Sequence, residues 1–221
     1  MVRTVVWDWN GTLLDDVDPS VATLNVLRAR RDLPPLSREM YRQSFGFPVR
    51  AFYEATGFDF ATDDYHDLSR DFIAEYRRRA DQMKVSPSAR AALYRLSEQG
   101  VVHLVVSAME ARLLGEMITE HGLGPALDGF FGTADHSAGS KIDVGSEAAR
   151  VRSLDPETTV VVGDTLHDLD LARALGCRAL LYAGGHQHRD RLAAAGGDVG
   201  TVIEDFDELD RHVFRASRTR P

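Results

Sequence analysis

The chain has 221 residues, of which 43% are hydrophobic and 27% charged, and a net charge of −8. That length supports one sizeable core with a small appendage, and the acidic balance argues against a general nucleic-acid binder, whose footprint is basic. Cys177 is the single cysteine, which excludes an intramolecular disulfide framework or a thiolate metal cluster. No apolar run approaches the roughly 18–20 residues of a membrane span, and the N-terminus shows no signal-peptide pattern. A cytoplasmic location is therefore expected, with neither nucleic acid nor membrane as a partner.

In chain order, the first predicted strand is TVVWDW, 4–9. Residues 16–84 hold no convincing strand. They read as helices in PSVATLNVLRARR, SREMYRQSF, PVRAFYEATG and DDYHDLSRDFIAEYRRRA, punctuated by Pro34-Pro35 and an FGFP turn. The arginines of 77–79 read as a solvated helix face. Strands then follow at 101–108, 129–134, 158–164, 177–183 and 200–203, with helical patterns between most of them. Gly100, Gly122 and Gly176 stand where C-terminal helix caps belong. The strands lack polar alternation, as strands buried on both faces do. The RASRTRP tail reads as frayed. The expected fold class is α/β, a doubly wound parallel sheet with a small all-helical cap inserted after the first strand. The core would comprise 1–15 and 85–221, and the cap 16–84.

In such a sheet, ligands bind outside the carboxyl ends of the strands. Asp8 ends the first predicted strand, Ser107 the second and Asp164 the fourth; Asp168 opens the helix after Asp164. Lys141 follows the third strand after a loop, and lysine occurs only twice in the chain, at Lys84 and Lys141. Buried charges are costly unless paired or bound to a metal. Asp8, Asp164 and Asp168 together would repel one another without a cation, and an all-oxygen set of this kind suits Mg²⁺. As bare residues, each also has a plainer reading: a turn hydroxyl for Ser107, a surface amine for Lys141, a helix-start acid for Asp168.

DWNGTLL, the strand-terminal Ser107, Lys141 and GDTLHD resemble the four ordered motifs of the haloacid dehalogenase-like hydrolase superfamily, in its phosphoglycolate-phosphatase-like branch. The resemblance spans residues 8–168 and places 16–84 where many members carry a helical cap. It implies a magnesium-dependent phosphatase of a small phosphorylated metabolite. Asp8 would be the nucleophile that forms an aspartyl-phosphate. Mg²⁺ would be held by Asp8, the Asn10 carbonyl, Asp164 and Asp168. Lys141 would neutralise charge on the phosphoryl group and Asp8, Ser107 would hydrogen-bond the phosphoryl group, and the Thr12 hydroxyl would brace the turn and border the substrate. Backbone N–H groups around Trp9 and Asn10 could meet phosphoryl oxygens.

One position departs from the pattern. In phosphatases of the superfamily the residue two after the nucleophile is usually an aspartate that acts as acid and base, whereas this chain has Asn10. An amide cannot shuttle a proton at neutral pH, a role typically worth about 10²–10⁴ in rate. Four readings stay open: a substrate with a good leaving group, such as an acyl or enol phosphate; a relay through another group, with His167 nearest by motif position; a weakly active phosphate-binding or regulatory relative; or an engineered trap. A phosphonate-cleaving relative would need a lysine reaching in from the cap, and none precedes Lys84. A dehalogenase needs no metal, so the intact acids argue against it, and a phosphomutase needs the missing aspartate. In the cap, Arg50 is the candidate contact to an anionic part of the substrate. Asp15 and Asp16 read as caps or hinge polar residues. His186 and His188 of GGHQH read as loop residues bordering the site, because two histidines do not complete a zinc site.

Overall fold

The computed structural model describes residues 1–134 and 141–213. The RASRTRP tail expected to fray lies outside them. A six-stranded parallel sheet is built from β1 (Thr4–Trp7), β4 (Val102–Glu110), β5 (Gly129–Thr133), β6 (Thr159–Gly163), β7 (Arg178–Tyr182) and β8 (Gly200–Ile203). Its spatial order is β5-β4-β1-β6-β7-β8. The chain winds outward from β1 first to one edge and then to the other, so the switch of direction, where α/β sheets bind ligands, falls beside β1.

The near-continuous apolar strands follow from burial on both faces. Along β1, Val5 and Trp7 enter one core cluster and Val6 the other; along β6, Val160 and Val162 face one way and Val161 the opposite way. The first face is covered by α5 (Pro87–Ser97) and α6 (Ala111–Glu120), together with residues of α10 (Leu209–Val213). The second is covered by α7 (Lys141–Arg152), α8 (Leu166–Leu175) and α9 (Arg189–Gly196). Ser86 caps α5 with proline at its first position, Glu110 caps α6, and Gly176 ends α8 in the left-handed conformation.

Between the first and second sheet strands lie α1 (Val17–Ala29), α2 (Arg38–Ser44), α3 (Val49–Ala55) and α4 (Tyr65–Arg77). They share an apolar cluster of their own, including Leu24, Leu27, Tyr41, Phe52, Tyr53 and Leu68. This layer connects to the sheet through a short antiparallel pair, β2 (Leu14–Asp15) and β3 (Lys84–Val85), in which Asp15 lies opposite Lys84. No strand was expected near residue 84. Two residues per strand are too few to show any periodicity, and only their pairing across 70 residues of chain makes them a ribbon. The arginines of 77–79 are less idle than expected: Arg78 and Arg79 both hold the buried Glu75 carboxylate, at 2.9 and 2.7 Å.

Helix α2 is also tied to the loop after β7. The Arg42 side chain donates to the carbonyls of Ala183, Gly185 and Gln187, and the His188 backbone N–H donates to the Arg42 carbonyl. The Gln187 side chain accepts from the Leu166 N–H at 2.8 Å and donates to the Phe45 carbonyl at 2.9 Å. These bonds hold the helical layer down over the carboxyl ends of β1 and β6. Among the described residues, no helix is long and apolar enough to cross a membrane.

Candidate active site

Asp8 follows β1, Asp164 follows β6, and Asp168 sits in the first turn of α8. One carboxylate oxygen from each lies within 4.8 Å of the others, and all three residues are buried. Lys141, the first residue of α7, is 3% exposed and donates to both Asp8 and Asp168. The four groups, which follow three different strands, therefore meet at one point. Ser107 is buried nearby within β4, just where the pairing of β4 with β5 becomes irregular; its Oγ accepts from the Met109 N–H at 3.1 Å.

Burial pushes the Asp8 and Asp164 carboxyls up, and neighbouring carboxylates add to the shift; at Asp8, Lys141 opposes it. Asp168 goes the other way. Burial disfavours its charge, but Lys141 and the hydroxyl and N–H of Thr165 outweigh that and hold it low. Burial also works against the Lys141 ammonium, which Asp168 and Asp8 more than restore. The cluster thus has three buried carboxyls and one ammonium. An additional cation is what the donor set lacks, and its oxygens fit Mg²⁺.

Two of the predicted substrate residues are not brought to the substrate cavity. Thr12 is 1% exposed and its hydroxyl donates to Asp164 Oδ1 at 2.9 Å, so it positions an acid from behind. Arg50 lies on the outer side of α3, where it pairs with Glu54 at 3.1 Å and stacks over the rings of Phe60 and Tyr65. An i,i+4 partner and an aromatic surface satisfy it locally. Arg50→Ala should leave the Michaelis constant for any turned-over ester unchanged within about twofold, a loss of exposed pairing costing only about 0.3–0.5 kcal/mol; steady-state kinetics decide.

Asp16 is the residue whose role the sequence concealed. It stands at the N-cap position of α1 but makes no side-chain cap bond. Instead, its Oδ1 accepts from the Gly11 N–H at 2.7 Å and lies 3.2 Å from His186 Nε2. Its Oδ2 accepts from Asn10 Nδ2 at 2.9 Å and from the Tyr76 hydroxyl at 2.6 Å. His186 in turn meets the Tyr41 hydroxyl at 2.9 Å, and its backbone N–H donates to Asp164. Although burial favours neutral imidazole, Asp16 raises the His186 pKa to about 9, and the same histidine holds Asp16 low despite burial. The fully buried pair is an imidazolium carboxylate. Gly11 allows this closeness: its φ of +73° is unfavourable for other residues, and a side chain there would strike Asp164 and His186.

Asp16→Ala would strand the imidazolium and leave the Asn10, Gly11 and Tyr76 donors without their acceptor. The expected loss is about 3–5 kcal/mol, or a fall in Tm on the order of 10 °C for a chain of this size, read by thermal denaturation. A fall of only a degree or two would show that the pair is not a structural centre. His188 has a different task, accepting from the Asp190 N–H at the start of α9. The Asp15-Asp16 repeat beside the first motif and the histidines after β7 were the available signals, but which acid and which histidine turn inward is a tertiary property.

A cavity of about 270 Å³ opens over Asp8, Asn10, Ser107 and Lys141. Its far walls come from α3, α4 and the loop between α2 and α3. His167 also borders it, its ring tilted against that of Phe47 with centroids 4.3 Å apart; its Nδ1 has no hydrogen-bond partner among the described residues.

Residues 5–182 match the sequence profile of the haloacid dehalogenase-like hydrolases, and the chain belongs to that family. A curated relative is the phosphoglycolate phosphatase of Caulobacter vibrioides, 28% identical over 210 residues, covering 92% of this chain and 87% of that one. Another is the N-acetylmuramic acid 6-phosphate phosphatase of Pseudomonas putida, 27% identical over 192 residues and covering 85% of each. The fold is that of a haloacid dehalogenase-like family hydrolase from Streptococcus pneumoniae, with a TM-score of 0.82 at 19% identity over 96% of this chain and 98% of that one.

Proposed function

We propose that the protein is a magnesium-dependent phosphatase that hydrolyses the phosphate monoester of a small metabolite. The observation that carries this reading is the buried Lys141 bridging Asp8 and Asp168 beside Asp164, at the floor of a cavity sized for a metabolite. The relatives named as phosphatases of phosphoglycolate and of a sugar phosphate support the same reaction class. Asp8, Asp164, Asp168 and the Asn10 carbonyl would hold Mg²⁺, which when bound offsets negative charge on the phosphoryl oxygens. The helices of 16–84 serve as the cap that encloses the substrate.

In this reading a carboxylate oxygen of Asp8 attacks phosphorus in line. The bond from phosphorus to the leaving oxygen breaks, and that oxygen keeps the electron pair. The product is an aspartyl-phosphate. Water then attacks phosphorus, inorganic phosphate departs and the Asp8 carboxylate returns. Lys141 and Ser107 donate to the phosphoryl oxygens as they gather charge, so fixed donors do most of the catalytic work. Asn10 donates to Asp16 and Tyr76. It has no proton to deliver to the leaving oxygen, so the substrate or another group must make up for it.

The deciding measurement is phosphate release by the purified chain across a panel of phosphomonoesters and acyl phosphates, with magnesium and with a chelator. Turnover that the chelator abolishes and magnesium restores is the expected result. Mg²⁺-dependent binding of inorganic phosphate without turnover would instead support a phosphate-sensing relative, one of the readings that the amide at position 10 allows.

A further inference from the structure

The cavity walls opposite Asp8 are aromatic. Phe45, Phe47, Phe52, Tyr53, Tyr65 and Phe72 surround the space that the ester's leaving group would occupy. Phe45 packs edge-on against Phe47 and Phe52, with centroids 5.6 and 5.3 Å apart. No arginine is among the described residues that line the cavity, and its one lysine, Lys141, is committed to Asp8 and Asp168. The other charged groups there include the acids Asp16 and Glu110. A leaving group bearing a carboxylate would thus meet rings and like charge, because the imidazolium on the lining, His186, is already paired with Asp16 at 3.2 Å. At about 270 Å³, the cavity is just under the ~300 Å³ lower bound for drug-sized ligands, which limits the guest to a single ring with short substituents.

Asn10 supplies the second constraint. Without an acid at that position, the leaving oxygen departs as an anion unless it is a good leaving group. A phenolate, the base of an acid with pKa of about 10, leaves unprotonated far more readily than an alkoxide, whose parent acid is about as weak as water, at about 15.7. Aromatic walls also suit a flat ring, which packs offset or edge-to-face against them. From the walls and the asparagine together, we infer that the substrate is an aryl phosphate: the phosphate monoester of a small, uncharged phenol. This inference rests on the phosphatase reading above and narrows it. Aromatic walls can also hold a quaternary ammonium, but an amino-alcohol ester would again leave as an alkoxide, so Asn10 favours the phenol.

The test compares kcat/KM of the magnesium-supplemented enzyme for phenyl phosphate, benzyl phosphate, 2-phosphoglycolate and phosphocholine. Benzyl phosphate keeps the ring but leaves as an alkoxide. Phenyl phosphate should exceed it by roughly 10²-fold or more, the range set by a missing acid, and should exceed the other two by at least as much. Phe47, a residue 41% exposed, gives a wall variant that tolerates truncation. Phe47→Ala should raise the Michaelis constant for phenyl phosphate several-fold while leaving competitive inhibition by inorganic phosphate unchanged, because phosphate does not reach that wall. Preference for 2-phosphoglycolate or phosphocholine, equal rates for phenyl and benzyl esters, or an unmoved Michaelis constant in Phe47→Ala would each overturn the aryl assignment while leaving a phosphatase. Hydrolysis of no ester by folded protein would overturn both.

Discussion

Asp8→Asn abolishes turnover, with an expected loss of at least roughly 10⁴-fold in kcat, because the neutral amide oxygen is far less nucleophilic than the carboxylate oxygen that must form the bond to phosphorus. The substitution keeps the side-chain volume, and Lys141 retains its partner Asp168. The fold should survive, and circular dichroism of the same sample shows whether it has. Loss of activity would then be chemical rather than structural. Trapping by acid quench gives a second readout: labelled phosphate should appear covalently on the wild-type chain and not on the variant. Undiminished phosphate release from purified Asp8→Asn would remove Asp8 from its role, and the buried cluster would need a different explanation.

Asn10→Asp is expected to act in the opposite direction. The Asn10 amide nitrogen lies 2.9 Å from Asp16 Oδ2 and 2.8 Å from the Tyr76 hydroxyl. A carboxyl introduced there would face a second carboxylate at hydrogen-bond range, and two such groups do not both ionise readily. It would hold a proton near neutrality and lie close enough to Asp8 to offer it to the leaving oxygen. Esters of alcohols, which leave poorly, should gain about 10²–10⁴ in kcat. Esters of phenols should gain little, because their oxygen does not need the proton. A selective gain of this kind identifies Asn10 as the site of the missing acid. No gain for any ester would show that the proton is already supplied elsewhere, with His167 on the cavity wall the first residue to substitute.

These two variants sit two residues apart just after β1, yet they were not equally visible in the sequence. Asp8 at the end of an apolar run and Asp164 at the end of another were legible because burying a charge at the close of a strand is costly and therefore informative. Lys141 stood out through scarcity, being one of two lysines. The alternation of strands and helices determined a parallel sheet with helices on both faces, and the unbroken helical stretch after the first strand marked an added layer. Each of these signals is local: a period, a charge out of place, a residue type used sparingly.

What lay hidden were relations between distant segments. Thr12 was assigned toward the substrate and instead holds Asp164. Arg50 was assigned to an anion and instead meets Glu54 four residues on. Asp16 and His186 are 170 positions apart, and nothing in either neighbourhood announces that they share a buried ion pair. The same holds for the six rings over Asp8. Along the chain they mix with rings that merely pack inside the helical layer, because apolar spacing on a helix says which face is buried but not what it is buried against. The sequence by itself determined the strand-end acids, the scarce lysine at 141, the amide at position 10 and the order of the layers. The tertiary structure alone decided which acid Asn10 leans on, which histidine pairs with Asp16, and that the space facing Asp8 is walled by aromatic rings. Those depend on how the helical layer closes over the sheet, an outcome of packing between segments that no local pattern encodes.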